Sequence, residues 1–325
     1  FFVHYRGEKA KPKTELDRTD FVKTGPYALD RQSARTMLTH LRALSRRLLT
    51  AQDLADVFGP EQELAREAVG AFCDAIENWT KGPRAGVLFK EWQRLFGIVY
   101  GEHFTGNPAK PAQTLAKIYR LGGEADFQRL LFSVHTYFVF LMKLIAAELL
   151  CLSEKSIKSS FSEDLAHADR PALLEKLEEI ESGGVYARRR ITNFLEGDFF
   201  RWYLDAFSPR VEESIREIAR ALAEFEPATA TIAPESHRDL LKRLYQYLVP
   251  AEVRHNLGEY YTPDWLAELV LSEAGYKGDL QSRLLDPACG SGTFLVLAIL
   301  KAKRLAEKEG MSRLQTAKSI LANIW

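Results

Sequence analysis

One stretch limits the folds open to this chain more than any other: Leu284-Leu-Asp-Pro-Ala-Cys-Gly-Ser-Gly-Thr-Phe-Leu295. It reads as a short buried strand, Arg283 to Asp286, broken at Pro287 and turned through Gly290 and Gly292. A long amphipathic helix then starts at Thr293 and carries Leu297, Ala298 and Leu305 toward Gly310. A strand-to-helix turn this tight takes backbone angles that a Cβ obstructs, and glycine also lets a ligand approach the backbone closely. Such a turn aims N–H groups, at the positive end of the helix, into the crevice beyond the strand's carboxyl end. In open α/β sheets that crevice holds nucleotide-like ligands.

The turn also discriminates among those ligands. A phosphate-binding P-loop needs Gly-Lys-Ser/Thr at the helix start, whereas Thr293-Phe294 follows Gly292 here. A dinucleotide fingerprint wants a third glycine where Leu295 stands. Asp286, ending the strand, repels a pyrophosphate but suits a cation such as the ammonium of a methionine moiety. The combination favours S-adenosylmethionine over NAD or ATP.

A second stretch lies upstream, Arg254-His-Asn-Leu-Gly-Glu-Tyr-Tyr-Thr-Pro-Asp-Trp-Leu266. Thr262 suits a helix N-cap, Pro263 the first helical position and Asp264 the first turn; the helix runs to Ala274 and ends at Gly275. A well-made helix start explains Thr262 and Pro263, but not the two tyrosines and Gly258 that precede them. Together the two stretches resemble the cofactor motifs of adenine-N6 DNA methyltransferases in the gamma arrangement. These are the methylating parts of type I and type IIG restriction-modification systems and of related phage-defence enzymes. His237 to Val249 resembles the helix that leads into the core of such enzymes. The resemblance covers roughly the last quarter of the chain.

The resemblance implies a site. Tyr261, Thr262 and Pro263 line the methionine end of S-adenosylmethionine, while Tyr260 either joins them or only packs. Asp286 and Ala288 lie beside the cofactor's amino-acid part, and Gly290-Ser291-Gly292 passes under ribose and methionine. Pro287, Cys289, Thr293 and Phe294 complete the motif, with Cys289 as a small buried residue rather than a nucleophile. The family's Asn/Asp/Ser-Pro-Pro-Tyr/Phe loop, which holds the amine and a flipped adenine, is absent from all 325 residues. No catalytic residue and no metal ligand is therefore assigned, and the chain alone is expected to be inactive. Both ends read as cut, the last at Ile324-Trp325 inside the next strand.

The preceding residues read as helical. Residues 1–30, polar with breakers at Lys9 to Lys13 and Gly25-Pro26, suit a linker or the end of an upstream domain. Helices are expected from Asp30 to Leu49, Glu61 to Thr80 and Val87 to Gly101, with a loop from Gly101 to Pro111. Phe127 to Leu152 is the most apolar stretch, but Arg129, Lys143 and Glu148 make it a buried core helix rather than a membrane span, with His135 a hydrogen-bonded core residue. Residues 153–184 read as a surface excursion with a short helix from Leu173 to Ile180, and Arg188-Arg-Arg190 as a solvated patch. Aromatic residues from Ile191 to Phe207 recur at helical spacing, and helices follow over Arg210 to Phe225 and Pro234 to Leu248.

The fold class expected is thus a mainly α N-terminal helical domain (31–250), followed by the start of an α/β, Rossmann-like, S-adenosylmethionine-dependent methyltransferase domain (251–325). Lys+Arg and Asp+Glu each total 44. That balance argues against a chain that is mostly nucleic-acid surface. Cys73, Cys151 and Cys289 lack metal-ligand spacing and fit a reducing cytoplasm. Expected partners are duplex DNA and, through the helices, other subunits of a restriction or defence complex, with no membrane. The alternatives are a class I methyltransferase acting on RNA or protein, and a non-enzymatic helical scaffold with a vestigial cofactor fold.

Overall fold

The computed structural model of the chain describes residues 2–5, 21–24, 34, 37, 46–79, 83–101, 109–121, 126–151, 160–191, 199–227 and 240–325. Two units are distinct, Phe1–Val253 and Arg254–Trp325. In the first, the elements in order are β1 (Phe2–Tyr5), β2 (Phe21–Thr24), β3 (Arg47–Leu48), α1 (Ala51–Phe58), α2 (Glu63–Trp79), α3 (Pro83–Tyr100), α4 (Ala109–Ile118), α5 (Phe127–Cys151), α6 (Phe161–His167), α7 (Arg170–Glu181), α8 (Gly184–Ala187), a 3₁₀ turn at Phe200–Leu204, α9 (Pro209–Ala223), β4 (Phe225–Glu226) and α10 (Leu240–Leu248). Helix α11 (Ala251–Asn256) leads into the second unit, which holds α12 (Asp264–Glu273), α13 (Thr293–Lys308) and α14 (Arg313–Asn323).

Helix α5 is the axis of the first unit. By length and composition it is long and apolar enough to cross a membrane, yet 78% of its most apolar window is buried inside the protein. Helix α2 packs on it, α9 packs on α2 and α5, and α6 packs on α9. Phe72 of α2, Phe132 of α5 and Trp202 of the 3₁₀ turn meet in one fully buried aromatic cluster. Side-chain caps set the helix starts: Thr50, Ser160, Asp169 and Ser208 each accept from a backbone N–H three residues on. His135 lies within this core and faces the Tyr245 hydroxyl at 3.3 Å.

Burial pushes the His135 imidazole down to about 4 from 6.5. The unfolded chain therefore binds this proton before the folded one does. Stability held above pH 6.5 is lost as pH falls toward 4, by about 3 kcal/mol at one ionisation per site. Urea unfolding at pH 7 and pH 4 is expected to show that extra loss in the native protein and not in His135→Phe. Equal pH sensitivity in the two would remove His135 from the account.

Several expectations give way to the structure. The opening residues hold an antiparallel pair, β1 with β2, in register Phe2 with Thr24, rather than only a linker. The helix expected from Asp30 to Leu49 has stopped by Arg47, because Arg47–Leu48 pairs in parallel with Phe225–Glu226; its cap at Asp30 and the positions 38–45 lie outside the described residues. The loop expected to Pro111 ends at Ala109, where α4 begins with Pro111 in its first turn, a position that tolerates a missing N–H. Residues 160–184 are no surface excursion: Leu165, Leu173, Leu177 and Ile180 are buried in α6 and α7. Ser153, Ser156 and Ser159 lie outside the described residues, as do Phe194, Leu195 and positions 234–239. The helix expected over Ile191 to Phe207 is, among the described residues, a 3₁₀ turn that seats Trp202 and Tyr203 in the core.

Candidate functional site

In the second unit α12 and α13 pack on each other. Ala267, one turn into α12, and Leu297, one turn into α13, share a buried cluster with Leu271, Tyr276 and Ala298. Leu284, Phe294 and Ile324 pack against it, half-buried. Leu280, Ala302 and Ala306 form a second cluster that Met311, Ile320 and Ile324 adjoin. Both stretches singled out in the sequence therefore end in helices rooted in one apolar seam.

The strand expected at Arg283 to Asp286 is reduced to a single parallel bridge, Leu284 with Ile324. The Asp286 N–H donates to the Trp325 carbonyl at 2.8 Å, and the Trp325 N–H to the Leu284 carbonyl at 3.0 Å. The strand is not buried, since Leu285 is 68% exposed. Parallel strands are buried only when helices cover both faces and neighbours flank them, and here the ladder has two members. Ile324, where the sequence suggested the next strand, contributes only its half of that bridge.

Beyond the bridge the chain turns as the glycines require. Gly290 and Gly292 have φ of 51° and 77°, left-handed angles that an L-residue adopts with strain. The Gly292 N–H donates to the Cys289 carbonyl at 2.7 Å, closing the turn, and Gly292 then stands as the N-cap of α13. Gly292 brings no side-chain cap to this helix, whose start carries the positive end of the dipole. An added Cβ on Gly292 meets nothing within 4 Å, so the space over the turn is free. Thr293 is buried and its hydroxyl lies 3.3 Å from that of Ser291. Phe294 is half-buried, while Pro287, Ala288, Cys289 and Ser291 are exposed. Cys289 is thus exposed, not the buried residue the motif suggested, because it lies on the outer side of the turn with Pro287, Ala288 and Ser291.

Asp286 is the chemically distinctive member. Its Oδ1 accepts from the Ala288 N–H at 3.2 Å, which orients the carboxylate. Its Oδ2 is buried and has no hydrogen-bond partner among the described residues. A buried acceptor left in this state costs roughly 1–3 kcal/mol unless a ligand satisfies it. A carboxylate beside a helix start and a glycine turn with free space over it fits a ligand that carries an ammonium and hydroxyl groups, which is what S-adenosylmethionine presents.

The tyrosine stretch is built differently from expectation at one point. Pro263, not Thr262, is the N-cap of α12, with extended backbone and no side-chain cap; its carbonyl accepts from the N–H groups of Leu266 and Ala267. Asp264 then begins the helix, favourably placed for the dipole. Gly275, at φ 78°, ends it as expected. Tyr260 is 73% exposed and Tyr261 half-buried. Burial is the main cause that pushes the Tyr261 phenol up to about 12, with the Glu259 charge adding and Arg254 opposing. Two residues of this stretch to which the sequence gave no role touch the tyrosines. The Arg254 guanidinium lies 5.6 Å from the Tyr261 ring centre, and the His255 ring stacks on Tyr260 at 5.0 Å with planes 16° apart. Both contacts cross the turn at Gly258 rather than running along one helix or strand, so no periodicity in the sequence signals them.

Comparison with known proteins bears on the same residues. The N-6 DNA Methylase family profile matches residues 236–315. The type I restriction enzyme MjaIX methylase subunit of Methanocaldococcus jannaschii is 39% identical over 70 residues, which are 21% of this chain and 12% of that protein. The chain therefore spans about an eighth of the length of the curated relative it matches. No solved structure matches it. The tyrosine loop, the glycine turn and the helices they open all fall inside the span, residues 236–315, that is similar to the N-6 DNA Methylase family.

Proposed function

We propose that the intact protein transfers a methyl group from S-adenosylmethionine to adenine N6 in duplex DNA, within a restriction-modification or phage-defence system. The observation that carries this reading is the Asp286 carboxylate. It sits at a glycine turn inside the family-matched residues, with one oxygen buried and unpartnered among the described residues. The bound cofactor supplies an activated methyl group. The chain's own residues would hold the donor: Asp286 would accept from its ammonium, the Gly290–Gly292 backbone would let it approach closely, and Tyr261 would pack beside its methionine end. The parallel bridge between Leu284 and Ile324, flanked by α12 and α13, supports reading this unit as the start of a Rossmann-like sheet. Residues 1–325 include no Pro-Pro-Tyr/Phe loop, and the role proposed for them is donor binding. The helical unit is read as the surface for companion subunits, and the cytoplasm as the compartment.

The test is methyl transfer by the intact protein from radiolabelled S-adenosylmethionine, offered duplex DNA, RNA and protein side by side. Label recovered as N6-methyladenine in duplex DNA is expected. Label confined to RNA or protein would replace this reading with another class I methyltransferase. Calorimetry showing no cofactor binding at millimolar concentration would favour the helical scaffold.

A further inference from the structure

Helix α11 ends in a turn that folds its last residues back over the tyrosine loop. Gly258, at φ 76°, takes the left-handed position after the helix. Its N–H donates to the His255 carbonyl at 3.0 Å, and the Glu259 N–H donates to the Arg254 carbonyl at 2.8 Å. These two bonds reverse the chain, so that Arg254 and His255 face the rings of Tyr261 and Tyr260. The contacts differ in kind. His255 and Tyr260 are stacked, nearly parallel rings, whereas the Arg254 guanidinium meets the Tyr261 ring as a cation over an aromatic face. Tyr261 is the half-buried member of the pair and Tyr260 the exposed one.

We propose that Arg254 is a positioning residue for cofactor binding: with His255 it clamps the tyrosine pair, and it fixes the Tyr261 ring before the ligand arrives. This rests on the reading of Tyr261 as lining the methionine end of the cofactor. A ring held in advance does not lose its rotamer freedom on binding, so the ligand meets a surface already ordered. Arg254 acts through Tyr261 and needs no contact with the cofactor. The clamp is built from one short helix end, one glycine turn and four side chains, all in the second unit.

The deciding measurement is a double-mutant cycle on the intact protein, with S-adenosylhomocysteine as the calorimetric probe. Arg254→Met keeps the apolar stem and removes the charge. It is expected to weaken binding about three- to thirtyfold, the range of a cation–π contact between exposed and shielded settings. Tyr261→Leu should weaken binding at least as much. The double variant should bind no worse than Tyr261→Leu alone, because the arginine has nothing left to position. Arg254→Lys, which retains a cation without the planar group, should recover part of the loss. Should Arg254→Met fail to fold, Arg254→Lys takes its place in the cycle, with a smaller loss that must again vanish in the Tyr261→Leu background. Native-like binding by Arg254→Met, or losses that multiply in the double variant, would overturn the clamp while leaving the cofactor reading intact. Failure of the unaltered protein to bind the probe overturns that reading and the clamp with it.

Discussion

Asp286→Ala is expected to weaken S-adenosylmethionine binding by about 30- to 150-fold while leaving the melting temperature of the unliganded protein nearly unchanged. The two effects come from different oxygens of one side chain. Oδ2 is buried without a partner among the described residues, so its removal relieves an unmet desolvation cost in the unliganded protein. Oδ1 accepts from the Ala288 N–H at 3.2 Å, a bond worth roughly 0.5–1.5 kcal/mol that the variant forfeits. The two roughly offset each other. On binding there is no such offset, because the ligand's ammonium loses a charged acceptor worth about 2–3 kcal/mol. Calorimetry for affinity and thermal unfolding for stability separate the two. A variant that loses several degrees in melting temperature, yet binds the cofactor as the native protein does, would make Asp286 a structural residue.

Lys143→Met is expected to cost the helical unit about 3–5 kcal/mol, a large share of the 5–15 kcal/mol typical of a whole domain. Lys143 of α5 and Glu181 of α7 form an ion pair with both side chains fully buried. The Tyr203 hydroxyl donates to the other Glu181 oxygen at 2.7 Å, and the Tyr186 hydroxyl to the Lys143 carbonyl at 2.8 Å. Removing the ammonium strands a carboxylate in the core, which is far costlier than losing the pair together. The double variant Lys143→Met/Glu181→Leu should therefore recover all but about 1–2 kcal/mol, the remainder reflecting Tyr203 without its acceptor. Urea unfolding followed by circular dichroism measures both. A double variant as unstable as the single one would show that the network, not the lone charge, holds α5 to α7.

The elements that were legible in advance share a strong local signal. Phe127–Cys151 matches the apolar stretch expected as a core helix, and Pro209–Ala223 the amphipathic one. In both, the side chains to be buried recur often enough to declare the element. Gly290 and Gly292 were legible because only glycine takes left-handed angles without strain. The two-residue pairing of Arg47–Leu48 with Phe225–Glu226 was not legible. Strands that short have no period, and the partners are brought together by the packing of the helices between them. Residues 161–181 misled for a related reason. Their surface is polar enough to suggest exposure, yet the stripe formed by Leu165, Leu173, Leu177 and Ile180 is buried.

By itself the sequence determined the family-bearing span, the glycine turn with its acidic neighbour and the helical character of what precedes them. Each of these depends on residue type and near-neighbour spacing, which a linear chain carries in full. Only the tertiary structure decided that one Asp286 oxygen is buried without a partner among the described residues, that Cys289 is exposed, that Lys143 meets Glu181 and that Arg254 lies over Tyr261. Burial and charge pairing are properties of the space around an atom, and that space is set by segments the local sequence does not contain.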